Sequence, residues 1–380
     1  MTENHSLTSP AQETNPAGRI YWLDVARTVA IVSITLNHAV NRTFNNYSNQ
    51  MEEFYTSSLT SSLLKVVTTV FSHLGVPLFL MISGALLLSK RIESARDIRQ
   101  FYRHNLLGLL ITSEIWYAVM YWFIVLCTPG QELLRQSTVP QLIWGMVKTM
   151  LFIDQLTLGS MWYIPVILCL YTVIPFFSLV LRKIPLRSLT LPALVILATM
   201  LVHDANGILI MRGAETEISL ALRASNVFSL YMLYVLAGYW VKQGGLGRIP
   251  TAGVAAAAVL SFAGICALQL DMYRQPADYL LDYDFTGYIV CAALTFELIR
   301  RGAHLIKAWE KPVCYLARIS FAIYFIHIII MTCLIWYTPA SDREWLQMLY
   351  LETVSVGGSI VVIALFSRVP VLRRYALYLK

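Results

Sequence analysis

The sequence predicts an all-α polytopic membrane protein of about ten transmembrane helices with both termini in the cytoplasm. Composition is the first reason. Of 380 residues, 57% are hydrophobic and 13% charged, whereas a soluble chain carries about a quarter charged residues, so polar surface is too scarce for a water-facing globule. The second reason is length: apolar stretches of about 17–25 residues, the length that crosses ~30 Å of hydrocarbon, recur throughout. The third is charge, because lysines and arginines concentrate in alternate connections.

Residues 1–18 (MTENHSLTSPAQETNPAG) are polar and hold Pro10 and Pro16. They lack the basic start and short apolar core of a signal peptide, so a disordered cytoplasmic tail is expected. One transmembrane domain is expected over 19–370, followed by a basic cytoplasmic tail, 371–380. Its spans are expected at 20–40, 66–89, 104–127, 161–182, 188–204, 226–242, 251–270, 285–300, 315–337 and 345–367. Pro77, Gly84, Pro165 and Pro175 fall inside them, which membrane helices tolerate. The stretch 140–153 (PQLIWGMVKTMLFI) is short for a crossing and reads as an interfacial or re-entrant helix.

With the N-terminus inside, the inner connections hold Lys90, Arg91, Arg96, Arg99 and Arg103, then Arg182, Lys183 and Arg187, and later Arg300, Arg301, Lys307, Lys311 and Arg318. They carry more than twice the basic residues of the outer ones, which fits the positive-inside rule. The outer loop 271–284 is acidic, with Asp271, Asp278, Asp282 and Asp284. The net charge of +7 is therefore a topology signal; the partner it implies is the lipid bilayer, and no nucleic acid is needed to account for it. The six cysteines show no paired spacing and read as small core residues, neither disulfides nor metal ligands.

The first span carries an unusual polar stripe. Arg27 and His38 are eleven residues apart, about 20° past three full turns and a rise of about 16.5 Å, so they share one face. Asp24 lies one turn before Arg27, within reach of an ion pair. A charge at mid-span costs about 2.5–3.5 kcal/mol on insertion scales, which directs it toward protein or a hydrated cavity. Spacing alone fits two readings: an ion pair that locks helices together with a histidine capping the span, or a functional cleft with Arg27 and His38 at its two ends. His73, His327 and Glu352, with Trp162 and Tyr163 at the start of the fourth span, sit at depths that allow an outer cluster with His38. Glu114, at mid-span, is expected to be paired or part of a relay.

IYWLDVARTVAIVSITLNH resembles the opening of the acyltransferase-3 family of integral membrane acyltransferases, whose first helix carries Arg, ten residues, then His. GVPLFLMISGALLL (75–88) resembles the family's second helix, and GSMWYIPVILCLYTVIPFF (159–177) its Leu-Trp-Phe-then-Pro helix. LARISFAIYFIHIIIM (316–331) resembles its Ser-x-x-Ile-Tyr-x-x-His segment, ending at His327. The likeness covers residue 19 to about 370. One departure stands out: many members carry two arginines three apart after the second helix, and here Arg103 is followed by Asn105 and Gly108.

The resemblance implies transfer of an acyl group from cytoplasmic acetyl-CoA, or another short acyl-CoA, to a hydroxyl of an envelope polysaccharide or lipid-linked saccharide. The setting is then a bacterial inner membrane, with no metal. On that reading His38 is the general base, Arg27 orients donor or helix, and Asp24 holds Arg27. Arg96, Arg99 and Arg103, with Arg27, supply cations for CoA phosphates. Trp162, Tyr163, His73, His327 and Glu352 bind substrate, and Trp162 and Tyr163 are also candidates for stabilising the oxyanion. A histidine near pKa 6.5 suits deprotonation of a sugar hydroxyl at neutral pH. Two other classes compete. A transporter or flippase predicts internal repeats with broken helices, and the sequence shows no clear repeat. A scaffold or sensor leaves the polar stripe without a task.

Overall fold

The computed structural model describes residues 19–44, 46–154, 160–214, 230–276 and 280–379. The expected tail 1–18 and the start of the expected span 226–242 lie outside them. Among the described residues the chain is helical, with no β-strand. In order run α1 (Tyr21–Thr43), α2 (Gln50–Thr56), α3 (Leu59–Ser72), α4 (Gly75–Leu87) and α5 (Ala95–Phe101). A π-helical turn, Tyr102–Leu106, joins α5 to α6 (Leu107–Cys127). Next come α7 (Glu132–Arg135), α8 (Val139–Met150), α9 (Tyr163–Lys183), α10 (Thr190–Met211), α11 (Tyr231–Lys242) and α12 (Thr251–Met272). The last are α13 (Thr286–Gly302), α14 (Glu310–Tyr337) and α15 (Glu344–Phe366).

Eight stretches among the described residues are long and apolar enough to cross a membrane, against about ten spans expected. The difference has two sources. Two expected spans, 285–300 and 315–337, belong to one 52-residue stretch, Thr286–Tyr337, which breaks at Ile306 into α13 and α14. The expected span 226–242 is described only as α11, of 12 residues. α8 also has 12 residues, about 18 Å at 1.5 Å per residue. With Val139, Ile143 and Trp144 exposed, it has the length and surface of the interfacial helix expected there.

Helix α1 is the hub, packed by α14, α4, α15, α3 and α13. Its fully buried Ala26, Ala30 and Ala39 let neighbouring backbones approach, as small residues do in membrane bundles. The same device joins α4 to α11. A Cβ on Gly84 would lie 1.8 Å from the Val235 carbonyl oxygen, and one on Gly238 would lie 2.1 Å from that of Met81. Outer helices such as α12 and α15 keep most of their apolar surface exposed, the face that lipid covers in a bilayer. All six cysteines are free. Cys291 fits the expected core role, but Cys127 and Cys169 are exposed on the apolar helices α6 and α9.

Residues 371–379, expected as a tail, fold back onto the bundle. Trp116 Nε1 donates to the Ala376 carbonyl at 2.8 Å, and Leu377 is buried. At the end of α13, Glu297 accepts from both Arg300 (2.7 Å) and Arg301 (2.5 Å). Arg301 also donates to the carbonyls of Leu246 and Ile249, tying the α11–α12 connection to α13.

Candidate functional site

A cavity of about 630 Å³ opens beside α1, between α4, α6, α9 and α14. Its charged end is built on the first turn of α1. Asp24 is 3% exposed and accepts from Arg19 twice, Nε to Oδ2 at 2.9 Å and Nη2 to Oδ1 at 2.6 Å. Arg27 Nη1 donates to the same Oδ1 at 3.2 Å. The ion pair expected between Asp24 and Arg27 is present, but Arg19 holds the carboxylate by the stronger, two-pronged contact. That hydrogen bond outweighs burial and raises the Arg19 pKa above its ordinary value. Arg19, Asp24, Arg27 and Arg318 all line the cavity, as do Asn105 and Tyr378.

Arg96, Arg99 and Arg103, expected to supply cations for a donor, lie elsewhere. They are exposed on α5 and on the π-helical turn after it, and none lines the cavity. Glu114 is partly exposed on α6; no ion pair engages it among the described residues.

The opposite end of α1 is built from rings and amides. His38 is partly exposed, and its ring centroid lies 5.2 Å from that of His327 on α14, although 289 positions separate them in the chain. The Nδ1 of His327 is 2.8 Å from the Ile323 carbonyl. That oxygen can only accept, so the proton belongs on Nδ1 and the lone pair on Nε2. The Nε2 is buried and has no hydrogen-bond partner among the described residues. One turn before His38, Thr35 donates to Glu352 Oε1 at 2.7 Å, and Glu352 Oε2 is buried without a partner.

The expectation that Arg27 and His38 share one cleft is only partly met. The cavity climbs α1 as far as Ile34 and is lined there by Tyr163 and Tyr324; neither His38 nor His327 lines it. The rings of Tyr163 and Tyr324 are in contact at 6.2 Å, and Tyr324 in turn lies 6.4 Å from His327. Tyr324 therefore lines the cavity and also borders the imidazole pair. The Tyr163 hydroxyl is buried with no hydrogen-bond partner among the described residues.

His73, Trp162 and Glu352 do not converge on one point. His73 belongs to a second cluster. Its Nδ1 lies 2.8 Å from the Thr69 carbonyl and its Nε2 3.9 Å from Asp282, with Tyr283 and Tyr288 against its ring. Trp162 stacks on Tyr283 at 5.2 Å and on Tyr231 at 6.0 Å, so it joins His73, whereas the adjacent Tyr163 turns into the cavity. Asn37, next to His38, donates to Ser72 at 3.1 Å and accepts from Asn41 at 3.0 Å. Asn41 accepts from Asn46 at 2.7 Å. This amide ladder pins the His38 end of α1 to α3.

Sequence reasoning missed Arg19, Tyr171, Arg318, Tyr324 and Tyr378 as cavity residues. Arg19 carried a signal, since it lies five positions before Asp24, and Tyr324 stands inside the segment that ends at His327. Arg318 counted only as one more inner-side charge. Among the described residues no three His, Cys, Asp or Glu side chains converge as metal ligands would.

No curated protein and no solved structure gives a significant match to the chain. The acyltransferase-3 family model, described as an acyltransferase domain, matches residues 20–368. That match covers the whole bundle, α1 to α15, and on it the chain belongs to the acyltransferase-3 family of membrane acyltransferases.

Proposed function

We propose that the chain is an O-acyltransferase of a bacterial inner membrane that moves a short acyl group, acetyl above all, from cytoplasmic acyl-CoA to an envelope saccharide. The acceptor is a hydroxyl of an envelope polysaccharide or lipid-linked saccharide. The observation that carries this reading is a single helix, α1, with a cation-lined cavity at its Arg27 end and an imidazole pair at its His38 end. Basic residues near the Arg27 end favour the cytoplasmic side for it. The sequence motifs are similar to those of the bacterial O-acetyltransferase that modifies enterobacterial common antigen, which favours acetyl as the group and a glycan as the acceptor. Both termini inside is part of this reading.

In the transfer, His38 takes the proton of the acceptor hydroxyl as its oxygen attacks the thioester carbonyl carbon. The C–S bond then breaks and the CoA thiolate leaves, taking the proton from the imidazolium. The Tyr163 hydroxyl, buried with no hydrogen-bond partner among the described residues, donates to the oxyanion. The donor's phosphates face the cations at the cavity's mouth, and its acyl arm passes between Tyr163 and Tyr324 to reach His38. Trp162, Tyr231, Tyr283 and Asp282 offer aromatic faces and a carboxylate to the saccharide on the other side. Glu352 holds the helix through Thr35.

Labelled acetyl-CoA supplied to membranes bearing the protein tests the reading, with mass spectrometry of the glycan locating the ester. Label is expected on glycan with the wild type and is expected to fall at least about 100-fold in His38→Ala, the lower bound for loss of a general base. Undiminished esterification in His38→Ala would remove the base assignment. Saccharide crossing the membrane without any acyl transfer would instead identify a flippase.

A further inference from the structure

We infer that the mouth of the cavity carries a subsite for the nucleotide end of the acyl donor, with Arg318 for its phosphates and Tyr378 for its base. This rests on the donor being an acyl-CoA, which ends in a phosphorylated adenosine diphosphate.

Three arginines line the cavity, and they differ in what already holds them. Arg19 and Arg27 are engaged by Asp24. Arg318, exposed on α14, forms no ion pair among the described residues, and its guanidinium lies 5.8 Å from the Tyr315 ring centroid. A guanidinium fork that lines a cavity and lacks a carboxylate is matched to phosphate, which it binds through two parallel N–H groups. A second cation stands close by: Lys90 Nζ donates to Oδ1 of Asn105 at 2.8 Å, and Asn105 lines the same cavity.

The aromatic half comes from the segment after α15. The Trp116–Ala376 hydrogen bond and the Leu379 N–H donated to the Arg373 carbonyl at 3.0 Å hold that segment against the bundle. Tyr378 has φ 54°, a left-handed backbone that is uncommon outside glycine, and it turns its ring into the cavity wall. There the ring meets Phe321 at 5.5 Å and fills the space left by Gly108, where a Cβ would lie 2.8 Å from Tyr378 Cε2. The glycine at 108 admits this aromatic ring, and a cation lining the same cavity comes from α14. A flat ring and a guanidinium without an ion pair among the described residues, lining one cavity, complement a purine and its phosphates, since bases stack on aromatic side chains.

Steady-state kinetics with two donors test the subsite: acetyl-CoA, and S-acetyl-pantetheine, which lacks nucleotide and phosphates. Arg318→Gln is expected to raise KM for acetyl-CoA about tenfold, and Tyr378→Ala about fivefold. Tyr378→Phe should keep the wild-type value, kcat should hold in all three, and KM for S-acetyl-pantetheine should not move. Adenosine 3′,5′-bisphosphate should compete with acetyl-CoA in the wild type and lose potency in Arg318→Gln. Wild-type KM for acetyl-CoA in both Arg318→Gln and Tyr378→Ala would overturn the subsite, as would equal rises for both donors. So would a wild-type enzyme indifferent to the bisphosphate, which needs no variant to fold. In each of these cases acetyl transfer continues and the donor reading stands. A wild type that takes no acetyl from acetyl-CoA would sink both.

Discussion

The two ends of α1 solve the same problem, polar groups within an apolar bundle, in opposite ways. At the Arg27 end a carboxylate is buried between two guanidiniums that are themselves 30% and 25% exposed, beside a cavity of about 630 Å³. At the His38 end amides, hydroxyls, two imidazoles and the Glu352 carboxyl predominate, joined largely by hydrogen bonds and ring contacts. Some of their atoms, His327 Nε2 and Glu352 Oε2 among them, have no partner among the described residues. Fixed charge is tolerated where water can reach it, because desolvating an ion costs far more than desolvating an amide. The His38 end instead holds groups that can exchange a proton.

Breaking the charged end should have the largest effect on stability. Asp24→Ala removes the carboxylate that Arg19 and Arg27 share. It should cost about 3 kcal/mol, the low end for a broken buried pair because both arginines are partly exposed. Thermal unfolding in detergent reads this, and an unchanged midpoint would mean that the cluster does not hold the end of α1. At the His38 end, Asn37→Ala removes the bonds to Ser72 and Asn41 and should cost about 1–2 kcal/mol. Its loss should be insensitive to salt, whereas that of Asp24→Ala should shrink as salt screens the arginines. If both variants respond alike to salt, the contrast between the two ends fails. The smallest effect is expected for Thr35→Val, which removes one hydrogen bond to Glu352, about 1 kcal/mol. A larger loss would mean that Glu352 braces more of the His38 end than Thr35 alone.

Much of the charged end was legible because it is local. Asp24 and Arg27 are one helical turn apart, and helix geometry puts them together in any fold. Arg19 escaped notice because it precedes the helix, where periodicity no longer applies. Cations for a donor were sought at Arg96, Arg99 and Arg103 because they follow the second span, but those residues do not line the cavity, whereas Arg318, 291 positions after Arg27, does. The His38–His327 pair was expected only as two depths in the membrane; that they meet depends on how α14 packs on α1.

The sequence by itself determined that the chain is helical and apolar, which residues share the face of α1, and to which family it belongs. These follow from composition, periodicity and ordered motifs, all carried by neighbouring residues. Only the tertiary structure decided that Tyr324 borders both cavity and imidazoles, and that Tyr378 closes the wall beside Gly108. Those outcomes depend on side chains from distant segments competing for the same few cubic ångströms, and hydropathy along a chain carries no record of that competition.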